Sequence, residues 1–239
     1  MRIAVISDMH GNLTAFEAVL ADLRETSPDL IFHGGDLADV GSSPAEIVDH
    51  IRDLGWPGVM GNSDEMLAMP ETLEDFASRS PQLERVWAVV REMAMATREA
   101  LGPERLVWLR DLPRVQIHKP MALVHASPET VWRSPGPDAG DAEIKSVYEP
   151  LGQPIAVFAH LHRPFIRRVP GLTIVNSGSV SLSYDGDPRA AYLLLDGFTP
   201  AIRRVEYDVE KEVGALTGRA FPHAEWVART LRSAAPQMP

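Results

Sequence analysis

Five short apolar runs, each cut off by a carboxylate, an amide or an imidazole, constrain this chain more than any other feature. Residues 3–7 run into Asp8, with His10 two positions on. Residues 30–35 end at Asp36, residues 58–61 at Asn62 and residues 121–124 at His125. Residues 155–159 end at His160, with His162 two positions on. Apolar runs of this length read as buried strands. Residues i and i+2 leave a strand on the same side, so Asp8/His10 and His160/His162 read as pairs pointing one way. Between the first runs, residues 13–25 read as an amphipathic helix. Leu13, Phe16, Leu20 and Leu23 share one face, Thr14-x-x-Glu17 suits a capping box, and Ser27-Pro28 ends the helix. Residues 44–54 read as a second helix, opened by Pro44 and closed by Gly55. The alternation predicts βαβ units and a largely parallel sheet. Such sheets gather ligands at their carboxyl ends, where Asp8, Asp36 and Asn62 fall.

Residues 65–112 break the pattern and read as a helical insertion over or beside the strand ends. Leu83, Val86, Val90 and Met93 share a helical face, Pro103 opens a second piece, and Met66, Met69, Met93 and Met95 crowd the segment. Core packing is the expectation for most of these side chains. From residue 114 short strands recur at 114–118, 121–125, 155–159, 165–169, 172–176, 191–196 and 201–207. Tight turns between several of them predict antiparallel pairing and a second sheet packed on the first. Residues 134–140 read as a loop and 209–234 as helical with a break near Pro222. With no repeat or linker, residues 1–239 are expected to form one α/β domain. A 45% apolar composition supplies its core. No run of apolar residues is long enough to span a membrane. Asp8 interrupts the N-terminal apolar stretch too early for a signal peptide, so the expected location is the cytoplasm.

The chain has no Cys, so any metal must be held by His, Asp, Glu, Asn or backbone oxygen. A net charge of −10 argues against broad nucleic-acid binding. It leaves room for a small anionic substrate, because bound cations reverse the local sign. Asp8, His10, Asp36, Asn62, His125, His160 and His162 fill the slots of two four-coordinate divalent metals if one carboxylate bridges. Two metals roughly 3.5–4 Å apart suit in-line displacement at phosphorus. This donor set favours Mn2+, Fe2+, Ni2+, Co2+ or Zn2+ over Mg2+ or Ca2+.

The blocks Ser7-Asp8-Met9-His10-Gly11-Asn12, Gly34-Gly35-Asp36, Gly61-Asn62-Ser63-Asp64, Val124-His125 and Ala159-His160-Leu161-His162 stand in an order that resembles the calcineurin-like metallophosphoesterases. Asn176-Ser-Gly-Ser-Val180 and Asp185-Gly-Asp-Pro-Arg189-Ala-Ala-Tyr192 are similar to segments of the small bacterial and archaeal phosphodiesterase branch. The resemblance implies a two-sheet αββα sandwich. It implies Asp8, His10, Asp36 and His162 on one metal, and Asp36, Asn62, His125 and His160 on the other, with Asp36 bridging. The implied reaction is phosphoester hydrolysis by metal-bound hydroxide, with Asn62 and His125 helping to stabilise charge on the phosphoryl oxygens.

The chain departs from the family at Ser63, where relatives with Gly-Asn-His-Asp or Gly-Asn-His-Glu carry a histidine beside the leaving group. A serine hydroxyl cannot donate a proton in its place at neutral pH. The departure points to phosphodiesters or activated esters, with Asp64 or a metal-held water as substitute acid. Arg163, Tyr184 and Arg189 are candidate substrate contacts. His33 is either a packed strand residue or a donor to a ligand carboxylate. Trp87, Trp108 and Trp132 suit core or rim positions, and Trp132 could stack on a nucleobase. The expected activity is therefore a dinuclear metal-dependent phosphodiesterase acting on a small phosphoester. A phosphomonoesterase or nucleotide phosphatase is the second enzyme reading. A non-catalytic metal-binding interaction scaffold on the same fold is the rival from another class. The oligomeric state is open.

Overall fold

In the computed structural model, which describes residues 1–239, nine strands form two sheets and eight helices flank them. The first sheet holds β1 (Arg2–Ile6), β2 (Leu30–His33), β8 (Ala190–Asp196) and β9 (Thr199–Val205) in the order β2-β1-β8-β9. The second holds β3 (Val115–His118), β4 (Met121–Val124), β5 (Ile155–Phe158), β6 (Phe165–Val169) and β7 (Leu172–Asn176) in the order β3-β4-β5-β7-β6.

Strand periodicity builds the layers. Ile3 and Val5 of β1 point toward the second sheet and meet Met121, Leu123, Ile155, Val157 and Val175. Ala4 and Ile6 point the other way, onto the helices α1 (Leu13–Thr26), α2 (Pro44–Leu54) and α5 (Glu84–Arg110). Val124, Ala156, Phe158 and Ile174 face outward from the second sheet onto α6 (Asp141–Tyr148), through Ile144 and Tyr148. The result is the αββα sandwich. β4 and β5 are buried throughout because both their faces are covered, which is why they read as unbroken apolar runs.

Several local expectations are corrected. β8 and β9 do not join the second sheet; β8 pairs antiparallel with β1, so the first sheet is mixed and only β1–β2 is parallel. In the second sheet β4–β5 and β5–β7 are parallel. Residues 58–61 make one bridge, His33 to Gly58, and no strand, because Asn62 already opens α3 (Asn62–Ala68). Thr14-x-x-Glu17 is not a capping box. Asn12 caps α1, its side chain accepting from the Ala15 N–H, while Thr14 donates to Glu212.

The insertion is helical, as its pattern predicts. It comprises α3, α4 (Glu71–Ala77) and α5, and α5 breaks at Gly102 (φ 68°) just before Pro103. Its inward face carries Val90, Met93, Thr97 and Leu101, whereas Leu83 and Met95 are exposed. The C-terminal helices α7 (Val209–Gly218) and α8 (Ala224–Ser233) pack Leu216, Val227 and Leu231 against Met93 and Leu182. No helix is long and apolar enough to cross a membrane.

Candidate metal centre and its cavity

The site lies where β1, β2, β4 and β5 end. A buried strap, residues 176–181, ties those ends together. The Ser7 and Ser177 hydroxyls are 2.7 Å apart, Asn176 Nδ2 donates to the Ala159 carbonyl at 2.6 Å, and Ser179 Oγ donates to the Asp8 carbonyl at 2.9 Å. The strap thereby joins the first sheet's site edge to the second's.

Strand alternation does not aim the side chains. β1 stops at Ile6 and β5 at Phe158, so Asp8, His10, His160 and His162 all lie beyond them. Each is left-handed, with φ of 54°, 47°, 66° and 55°, and Asp36 shares this at 53°. Such backbone is uncommon for residues other than glycine, and its concentration on one cluster marks a built site. The pairs converge through these turns rather than through a pleat.

Asp8, His10, Asp36 and His162 form a buried group whose ligand atoms lie within 4.8 Å of one another and that could hold a metal ion. His162 Nδ1 is 2.6 Å from the Leu182 carbonyl, which requires the proton on Nδ1. Nε2 of the neutral ring then aims its lone pair at Asp8 Oδ1, 3.3 Å away. Asp8 is fully buried, and neither of its carboxylate oxygens has a hydrogen-bond partner. Buried acceptors facing one another are costly unless a cation lies among them. The donor set therefore fits a divalent metal. Burial alone would raise the Asp8 pKa, yet the facing histidines, His162 first, bring it down to about 2. Burial opposes charge on His162, but the Asp8 carboxylate outweighs it and raises the pKa, so a proton competes with a metal for Nε2. Burial lowers His10 and His160 to about 4, leaving both rings neutral and able to ligate near pH 7.

The other predicted residues gather alongside. His125 Nδ1 lies 2.8 Å from the Gly34 carbonyl, and its Nε2 faces Asn62 Oδ1 at 3.0 Å. His160 Nδ1 is 2.8 Å from the same Asn62 oxygen. Asp36 sits between the two groups, Oδ2 3.6 Å from His10 Nε2 and Oδ1 3.6 Å from His125 Nε2. Ser63 holds both of those oxygens, its N–H donating to Oδ1 at 2.8 Å and its hydroxyl to Oδ2 at 3.1 Å. Gly61 is obligatory here, because a Cβ on it would lie 2.1 Å from Asp36 Oδ1.

Asp64 is not placed as a leaving-group acid. It is fully buried, off the cavity, and accepts N–H groups from Asp36, Leu37 and Gly61 at 2.8, 3.0 and 2.9 Å. Burial and the Asp36 charge raise its pKa to about 6. Its contacts position the Asp36 backbone. Arg163 is exposed and off the cavity, donating to the Tyr184 carbonyl at 2.7 Å. Tyr184 does line the cavity and stacks on His162 at 4.6 Å. Arg189 pairs with Asp187 in an exposed turn. His33 packs beside Trp108 with neither ring nitrogen hydrogen-bonded, and burial lowers its pKa to about 3.

A cavity of about 240 Å³ opens from His10, Asp36, Asn62, His160 and His162. Sequence reasoning missed two parts of its wall. Asp39 is buried in it, near Asp36 and bonded to Thr97 Oγ1 at 3.3 Å; burial raises its pKa to about 7. Its only sequence signal is its place three residues after Asp36. Helix α8 contributes Trp226, Val227 and Thr230, and nothing in that amphipathic segment marks them.

Comparisons with known proteins bear on the family and the fold. A family model described as the calcineurin-like phosphoesterase superfamily domain matches residues 1–197. The uncharacterized protein MJ0912 of Methanocaldococcus jannaschii is 31% identical over 252 residues, covering 96% of each chain. A crystal structure of a metallophosphoesterase from Sphaerobacter thermophilus superposes with TM-score 0.81 at 27% identity, covering 98% of this chain and 100% of that one. The hypothetical protein PH1004 of Pyrococcus horikoshii OT3 shares the fold, with TM-score 0.85 at 19% identity over 99% of both chains.

Proposed function

The chain belongs to the calcineurin-like phosphoesterase superfamily, and from that premise we propose that it is a dinuclear metal-dependent phosphodiesterase acting on a small phosphoester. The observation that carries the reading is the position of Asp36, which turns one oxygen toward His10 and the other toward His125. In this reading Asp8, His10, Asp36 and His162 hold one cation, and Asp36, Asn62, His125 and His160 hold the second. Bound there, two divalent cations would supply an activated water and positive charge against the phosphoryl oxygens.

The chain's own residues do the positioning. The Leu182 and Gly34 carbonyls hold the Nδ1 protons of His162 and His125, which turns both Nε2 atoms inward. Ser63 fixes the plane of the Asp36 carboxylate and is thereby committed. With Ser63 and Asp64 both engaged, neither is free to protonate a leaving group. That supports activated esters, whose leaving groups need little help. The net charge of −10 supports a small substrate over a nucleic-acid strand.

The test is hydrolysis of bis(4-nitrophenyl) phosphate by the purified protein. Activity should disappear with chelator, return with Mn2+ or Ni2+, and be abolished by Asp36→Asn. Full turnover by that variant would sink the assignment. Faster hydrolysis of 4-nitrophenyl phosphate than of the diester would favour a phosphomonoesterase.

A further inference from the structure

We propose that the cavity beside the metal cluster takes an aromatic group joined directly to one phosphoryl group, so that the substrates are aryl-type phosphoesters and neither nucleotides nor polyphosphates. This rests on the phosphoesterase reading for the placement of the phosphoryl group.

Three indoles, Trp87, Trp132 and Trp226, line the cavity. All three N–H groups are already used inside the protein. Trp87 donates to the Ser80 carbonyl at 3.1 Å, Trp226 to the Gln237 carbonyl at 2.9 Å, and Trp132 to the Glu65 carboxylate, which Arg114 also holds. The indoles therefore offer a guest ring faces and edges but no free donor. Phe76 stiffens the wall, stacked on Trp132 at 4.7 Å and edge-on to Trp87 at 5.7 Å. Met66 and Met93 fill in beside them.

The polar groups are as informative. No Lys or Arg lines the cavity, so nothing beyond the metal cluster would offset a second phosphate. The acidic group there, Asp39, opposes one. Thr230 is spent on the Trp226 carbonyl at 3.1 Å. A nucleobase, whose ring edge needs several partners, finds only the Tyr184 hydroxyl and the Asp39 carboxylate outside the metal cluster. Both walls matter: α5 supplies Trp87 and Met93, and α8 supplies Trp226 from outside the family-matched residues 1–197. A volume of about 240 Å³ suits one or two fused rings, being below the roughly 300–1,000 Å³ of drug-sized pockets.

The test is binding of non-hydrolysable phosphonates to the Mn2+-loaded protein, read by tryptophan fluorescence. Naphthylmethylphosphonate should bind tighter than methylphosphonate by on the order of tenfold or more. Adenosine monophosphate and triphosphate should fall well behind naphthylmethylphosphonate. Trp226→Ala should erase most of the aromatic preference, and Val90→Phe should do so by filling the space, which guards against misfolding of the first variant. Equal affinity for the two phosphonates, or tighter binding of either nucleotide, would overturn the proposal. An intact aromatic preference in a protein that hydrolyses no ester would support the pocket and overturn the phosphoesterase reading instead.

Discussion

Nε2 of His162 lies 3.3 Å from Oδ1 of Asp8, and no hydrogen-bond donor reaches either Asp8 oxygen. Without a cation the facing histidines, His162 first, keep this buried carboxylate ionised, at a pKa of about 2. Asp8→Asn removes that charge, so at neutral pH the chelated variant should be less stable than chelated wild type. It should gain far less from Mn2+. Thermal unfolding with and without chelator and Mn2+ checks both arms, because binding to the folded state alone raises its stability. A variant with the full metal-induced rise would contradict the role given to Asp8.

Asp64 holds three backbone N–H groups around Asp36. Asp64→Asn turns an amide donor toward at least one of them. Each buried group left unsatisfied costs roughly 1–3 kcal/mol. The expected outcome is a loss in that range by urea unfolding, together with weaker Mn2+ binding because Asp36 loses its support. Unchanged stability with a selective loss on poor leaving groups would instead restore Asp64 as an acid.

Ser63→Ala keeps the backbone donor to Asp36 Oδ1 and deletes the hydroxyl donor to Oδ2. One hydrogen bond to a charged group is worth about 1.5–3 kcal/mol, but Oδ2 can turn toward a cation instead. A drop in Mn2+ affinity of about tenfold or less is therefore expected, with the fold intact. Calorimetric titration with Mn2+ measures it.

Burial raises Asp39 from 3.8 to about 7. The folded state thus holds this proton more tightly than the unfolded chain does. The associated stability is fully present below pH 3.8 and is lost as pH rises through about 7. In chelated protein the loss attributable to Asp39 is on the order of 4 kcal/mol. Asp39→Asn should flatten the fall in unfolding free energy between pH 5 and pH 8. Added metal should flatten it too, because neighbouring positive charge stabilises the Asp39 carboxylate. Parallel curves for variant and wild type would show that Asp39 does not carry the dependence.

The residues that gather at the centre were legible as an ordered set and not one by one, because a single polar side chain that ends a buried strand is more often a cap or a satisfied polar group than a ligand. Asp8, Asp36, His125 and His160 all follow strands assigned from the sequence within a residue or two. The reason given for their convergence was incomplete. A pleat would have aimed Asp8 and His10, but left-handed turns beyond β1 do so. Those turns hold because the 176–181 strap and Gly61 surround them, contacts between residues far apart in the chain.

From the sequence alone came the strand-end positions of the candidate metal donors and the helical nature of the insertion, set by periodicity and by chemistry local to each run, while the αββα layering came from the family resemblance. Only the tertiary structure decided that β8 pairs with β1, that Asp64 supports Asp36, and that Asp39 and Trp226 share a cavity with the candidate metal donors. Pairing order and cavity walls depend on which surfaces meet after the chain has doubled back. Trp226 shares a cavity wall with His162 through a helix whose own pattern records only that one of its faces is buried.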